Sequence, residues 1–156
     1  MSSNNAPAPY EVIAESEMSG HDAWQAFDSL WYDTYWASTS DSGVPTWLFI
    51  DLGTAKKACA TGLRCFSANY PTDWTFEGSN NRIDWDILDT QEDQYLSAFA
   101  NWYDTFYNDT SYRYYMWNFT GTSDDIIIIG MAKIFIEEVT GVRDVIGEGC
   151  VPFNRV

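Results

Sequence analysis

Apolar residues alternate with polar or small ones in short runs along most of this chain, the two-residue period of half-buried strands. Strands are predicted at Tyr35 to Thr39, at Thr46 to Leu52 closed by Gly53, and at Ala58 to Ser67. They continue at Trp74 to Gly78, Trp85 to Leu88, Trp102 to Tyr107 and Tyr112 to Phe119, with Ile126 to Ile129 and Met131 to Val139 as a last pair. Turn residues such as Ser79-Asn80-Asn81 separate the runs. One stretch departs from the pattern: His21 to Asp28 places Ala23, Trp24 and Phe27 at the three-to-four spacing of a single helical turn. About eight short strands without a long helix or an internal repeat predict an all-β fold, an eight-stranded antiparallel jelly-roll sandwich. Residues 1–10 are small, polar and proline-containing and are expected to form a flexible leader or a strap onto a partner; 11–156 form one domain.

Composition changes this picture in two ways. Eight Trp, ten Tyr and nine Phe exceed what a core of this size needs, so some rings are expected on the surface. The chain carries 23 acidic against 8 basic residues, a formal charge of −15, which repels phosphate backbones and anionic lipid; nucleic acid is excluded as a partner. No run reaches the roughly 18 apolar residues of a membrane span, so no membrane insertion is expected. The N-terminus has neither a basic start nor an apolar run, and the protein is expected to be made in the cytoplasm without a signal peptide. Three cysteines make a poor disulfide framework, and Cys59 and Cys65 read as small buried hydrophobes.

Catalytic chemistry finds little to build on. His21 is the only histidine, no nucleophile elbow or metal-binding His-Glu-x-x-His is present, and most carboxylates (Asp41, Asp73, Asp89, Glu92, Asp93, Asp124, Asp125) fall in turns. Turn aspartates ordinarily bond their own backbone. The expectation is a binding protein and not an enzyme.

An ordered series of segments carries a family resemblance. Ala23-Trp24-Gln25-Ala26-Phe27-Asp28, Thr34-Tyr35-Trp36 and Pro45-Thr46-Trp47-Leu48-Phe49-Ile50-Asp51-Leu52-Gly53 resemble the discoidin, or coagulation-factor type C, domain family and the related galactose-binding-like carbohydrate-binding modules. The likeness continues through Tyr70-Pro71-Thr72-Asp73-Trp74-Thr75-Phe76-Glu77-Gly78-Ser79-Asn80, Trp85-Asp86-Ile87-Leu88, Tyr112-Arg113-Tyr114-Tyr115 and Met131 to Gly141. Copies in phage structural proteins are the most similar. The resemblance implies a galactose-binding-domain-like jelly roll, with Trp36, Trp47 and Phe49 filling the core between the sheets and a shallow ligand site among the loops at one end.

Within that frame, Tyr70, Trp102 and Tyr103 are candidates for the aromatic face of a sugar site, and Asn69, Asp73, Asp41 and His21 for its hydrogen bonds. Tyr70 packing on Pro71 and Trp102 capping the barrel end are the structural alternatives. The resemblance also implies a structural calcium ion in the loop after Phe27, held by Asp28 and Thr34, with Asp33 an extra carboxylate. Two departures weigh against the ion: the loop is one residue longer, with Leu30 and Trp31 where Gly-Asn is usual, and Lys133 stands where the family places a coordinating Glu. Lys133 is then expected to pair with Asp28, unless Glu137 or Glu138 supplies the ligand.

The expected function is a non-catalytic, lectin-like module on a phage virion that attaches to a cell-surface glycan or polysaccharide. The alternative is a structural virion protein (decoration, cement or tail component) contacting other virion proteins or itself, with Trp31, Tyr32 and Phe106 in the interface. An accessory domain of a polysaccharide-degrading enzyme is a third reading.

Overall fold

A computed structural model describes residues 1–5, 7–28, 30, 33–39 and 44–137, together with the backbone of 150–152. Among the described residues, ten strands form two antiparallel sheets. The first sheet contains β1 (Glu11–Ala14), β3 (Thr46–Lys56), β8 (Tyr112–Thr122), β5 (Pro71–Ser79) and β6 (Asp86–Gln91), in that spatial order. The second contains β10 (Cys150–Pro152), β9 (Ile128–Glu137), β4 (Ala58–Cys65) and β7 (Asn101–Thr105), with β2 (Trp36–Ala37) also paired to β9. A 3₁₀ turn, Ala23–Phe27, closes one flank.

Alternation sets which side chains meet between the sheets. Leu48, Ile50 and Leu52 from β3, Trp74 and Phe76 from β5, and Tyr115, Trp117 and Phe119 from β8 are fully buried in one cluster with Leu63, Ile129, Ile134 and Trp36. Rings dominate it: Phe76 lies 4.9 Å from Trp117 and stacks on Tyr115 at 5.4 Å. Burial lifts the Tyr115 phenol to about 12. Its hydroxyl donates to the Lys56 carbonyl at 2.5 Å and accepts the Ala58 amide at 3.1 Å, tying the β3–β4 corner to β8. Within β3, in the irregular stretch between Asp51 and Lys56, Gly53 takes a left-handed φ of +74° beside Pro9, where an added Cβ would collide with the proline ring.

The expected sandwich is present, with four differences from the sequence reading. First, β1 is an additional strand of four residues, too short for its alternation to stand out. Second, β9 runs unbroken through Gly130, where two strands were expected. Third, Trp47 and Phe49 belong to the outer face of the first sheet. Their neighbours Leu48, Ile50 and Leu52 point inward, so the two aromatics cannot. Fourth, Cys59 is disulfide-bonded, and the buried-hydrophobe reading fits Cys65, a buried free thiol. Phe106 packs against Phe76 at the core edge and is not a free interface ring; Trp31 and Tyr32 lie outside the described residues.

Where a flexible leader was expected, the structure lays the N-terminal residues on the domain's own surface. The Asn4 side chain accepts the Trp24 amide at 3.0 Å, the Glu17 carboxylate accepts that of Ala23 at 2.8 Å, and the Asn4 carbonyl accepts that of Val12. The first two contacts satisfy amides that would otherwise be orphaned at the start of the 3₁₀ turn.

Candidate functional site

The loops 15–22, 66–70, 92–100 and 123–127 converge at one end of the sandwich. Backbone hydrogen bonds lock them together: Ile128 N–H to the Asn69 carbonyl, Ser123 N–H to that of Tyr70, Phe99 N–H to that of Cys65, and Ala37 N–H to that of His21.

Aromatic side chains form a ladder across this end. His21 stacks on Tyr35 with centroids 4.0 Å apart and planes 12° apart; Tyr35 stacks on Phe66 at 4.5 Å; Phe66 meets Phe99 edge-on at 5.5 Å. The ladder ends in solvent, since Phe99 is 47% exposed. Its backbone sits at a φ of +62°, a region non-glycine residues rarely enter and one that is concentrated at ligand-binding loops. A second pair stands beside the same loops: Tyr95, 79% exposed, meets Tyr70 edge-on at 5.5 Å. Between Tyr95 and Phe99, Leu96 is buried in the core and anchors the loop that presents both rings.

Polar groups surround the rings. The Asn69 amide donates to Asp124 at 3.0 Å and its oxygen accepts the Ser67 hydroxyl at 3.0 Å. Asp73 accepts the Thr72 hydroxyl at 2.5 Å and the Asp93 amide at 3.1 Å, and these bonds hold its carboxyl below the ordinary range. Gly121 makes room for that carboxylate, because any Cβ there would strike it. Asp73 therefore shapes the 92–100 loop, whose Gln94 amide also bonds the Thr72 carbonyl.

The structure brings together Tyr70, Asn69, Asp73 and His21 from the predicted set. Trp102 packs edge-on against buried Trp74 at 4.9 Å, the barrel-capping alternative. Tyr103 lies on the outer face of the second sheet, over Gly62 and against Phe135, because residue 102 already points inward. Asp41 lies outside the described residues. Tyr35, Phe66, Tyr95, Phe99 and Asp124 also lie at this end and were not singled out in the sequence. The sequence signal for two of them was an aromatic pair, Tyr95 and Phe99, with Leu96 between them in a short loop of polar and small residues.

In the loop after Phe27, Asp28 accepts the Thr34 hydroxyl at 2.6 Å and the Leu30 amide at 2.8 Å, so both its oxygens are already engaged, and Asp33 is exposed. Among the described residues no cluster of three His, Cys, Asp or Glu side chains forms. The expected Lys133–Asp28 pair does not form either; Lys133 stands opposite Gly62 on β9. The loop is closed by Asp28–Thr34 hydrogen bonding.

Two antiparallel five-stranded sheets with these loops gathered at one end make a galactose-binding-like jelly-roll fold. Its structural neighbours are carbohydrate-binding modules of family 32 and discoidin-like type. The chain is similar to chitosan-binding module 1 of a chitosanase/glucanase from Paenibacillus sp. IK-5, with 23% identity over 81% of this chain and 93% of that one and a TM-score of 0.70. It is similar to a Clostridium perfringens family 32 module solved with GalNAc-β-1,3-galactose, at 12% identity, 81% and 94% coverage and a TM-score of 0.70. The family 32 module of C. perfringens NanJ, solved with galactose, matches at 18% identity, 80% and 92% coverage and a TM-score of 0.66. No family model matches the chain, and no curated protein matches it in sequence.

Proposed function

We propose that the loop end is a non-catalytic glycan-binding site for uncharged or amino sugars. One observation carries this reading: the exposed ring of Phe99, backed by the Phe66–Tyr35–His21 stack, shares a rigidly hydrogen-bonded loop cluster with Tyr70, Tyr95 and Asn69. Aromatic faces take the apolar side of a pyranose, and an amide and hydroxyls serve its hydroxyl groups. The carboxylates of Glu92, Asp93, Asp124 and Asp125 on the same loops disfavour uronate or sulfated sugars. The neighbouring folds support the class, since their own ligands include chitosan and galactose. A single shallow site of this kind binds weakly, and display of many copies on a particle such as a phage virion would supply avidity. A glycan-array screen tests the proposal: binding to neutral or amino-sugar glycans, competed by the free sugar, is expected, and a blank array from folded protein would sink it.

A second reading has an observation of its own. Ile87, 63% exposed on β6, the outer strand of the first sheet, and Ile83, 81% exposed in the turn before it, offer an edge for a protein partner to pair with. Concentration-dependent mass, abolished by Ile87→Lys, would favour this structural role.

A further inference from the structure

The outer face of the first sheet holds a recess of about 360 Å³ lined by Ile13, Trp47, Phe49, Arg82, Trp85 and Met116. It is remote in construction from the loop end: its floor is strand surface, and its wall is the turn after β5. That turn is firmly built. The Ser79 hydroxyl accepts the Asn81 and Arg82 amides, and the Asn81 side chain accepts those of Ile83 and Asp84. Arg82, at a φ of +64°, is thereby folded back so that its guanidinium lies 5.1 Å from the Phe49 ring centre and 4.6 Å from that of Tyr114. Trp85 stands edge-on to Phe49 at 6.0 Å.

Three features identify the occupant. Rings of Trp47, Phe49 and Trp85 line one small recess whose volume lies in the range of small-ligand sites, not of protein interfaces, which need roughly 800 Å² of matching surface per partner. Neither indole N–H, of Trp47 or of Trp85, has a hydrogen-bond partner in the protein among the described residues, and both rings are half-buried, which leaves two donors open to solvent or a ligand. The charges beside the recess balance. Arg82 bonds Glu11 at 2.8 Å and Asp51 at 3.1 Å, and Arg113 bonds Asp51 through two nitrogens at 2.8 Å, leaving no net cation to draw an acid and a chain at −15 to repel one. Flat apolar rings with spare donors and no net charge suit an uncharged pyranose.

We propose that this recess is a second carbohydrate site, taking a neutral sugar unit of a polysaccharide chain against Trp47 and Trp85. The site is independent of the loop end, and the two readings fail separately.

The test is an NMR titration of the ¹⁵N-labelled full chain with cellohexaose, N-acetylchitohexaose and galactohexaose, using hexamannuronate as the anionic control. Trp47→Phe and Trp85→Phe assign the two indole signals, and the Asn69 side-chain amide reports the loop end. The expected result is that at least one neutral hexasaccharide shifts the Trp47 or Trp85 indole, hexamannuronate does not, and Trp85→Ala weakens that effect at least tenfold with the backbone spectrum otherwise kept. Should Trp85→Ala fail to fold, Arg82→Lys is read in its place and is expected to weaken the same shift. Unmoved indoles with a shifted Asn69 amide would overturn the recess and leave the loop end standing; unmoved signals at both would overturn both. Indole shifts produced by hexamannuronate, or by raising protein concentration alone, would also overturn the proposal, the latter pointing to a second copy as the occupant.

Discussion

The two faces of the first sheet are both aromatic, yet they are built for different environments. Inward, Trp74, Phe76, Tyr115, Trp117 and Phe119 are sealed from solvent and touch chiefly other rings and aliphatic chains. Outward, Phe49 is only 5% exposed, but its cover is a guanidinium, Tyr114 and the edge of Trp85, laid over it by a polar turn. The inner face derives its stability from exclusion of water. The outer face is organised by charge: Asp51, 3% exposed, gathers Arg82, Arg113 and the Gly53 amide around one carboxylate. Equal burial therefore does not mean equal purpose, and a ring roofed by an ion-paired arginine is a different object from a ring in a core.

The comparison breaks most sharply at Trp117. Trp117→Ala removes the ring that Phe76 packs against at 4.9 Å and should destabilise the protein by about 3–5 kcal/mol in urea unfolding. A loss under about 1 kcal/mol would mean that the inner face is not the principal core.

Asp51→Ala comes next and sharpens the contrast, because it attacks the outer face through charge. It leaves two arginines without their shared partner at a cost of about 1–3 kcal/mol. Burial alone would raise the Asp51 carboxyl, but the hydrogen bonds from Arg113, Gly53 and Arg82 and the charge of Arg113 outweigh it and hold it below 3.8. A carboxyl with a lowered folded value contributes stability that is complete above the unfolded value and is lost as pH falls through the folded one. Wild-type stability should therefore decline below about pH 3.8 more steeply than that of Asp51→Asn, measured by unfolding at a series of pH values. Parallel profiles would remove Asp51 as the organising charge.

The smallest effect is expected from chelation. Because Asp28 closes its loop by bonding Thr34 and Leu30, EDTA should leave the melting temperature unchanged within about 1 °C. A clear fall reversed by calcium would restore the ion implied by the family resemblance.

The sandwich could be read from the chain because strand alternation is local: Trp74-Thr75-Phe76 and Tyr115-Met116-Trp117 declare an inner and an outer set without any tertiary knowledge. The face assignment of Trp47 and Phe49 could not, since alternation says which residues go together but not which set faces the core, and the family resemblance pointed these two inward. The loop end was half readable. Asn69 and Tyr70 sit in a recognisable turn before β5, and Asp73 in the first residues of that strand. Phe66 and Phe99 lie far apart in sequence and meet only because the Phe99 amide reaches the Cys65 carbonyl. The left-handed backbone that exposes Phe99 leaves no mark in composition. Tyr103 was misplaced by a single residue of register, since Trp102 took the inward direction.

The most direct test of the loop-end account is calorimetric titration of the double variant Tyr95→Ala/Phe99→Ala with the tightest-binding array glycan, beside wild type. Both rings are largely exposed, so the variant should keep the wild-type fold and melt within a few degrees of it. The account predicts that heat of binding disappears, an affinity loss of at least tenfold. Undiminished affinity in the folded double variant would contradict it and move glycan recognition away from this end of the sandwich.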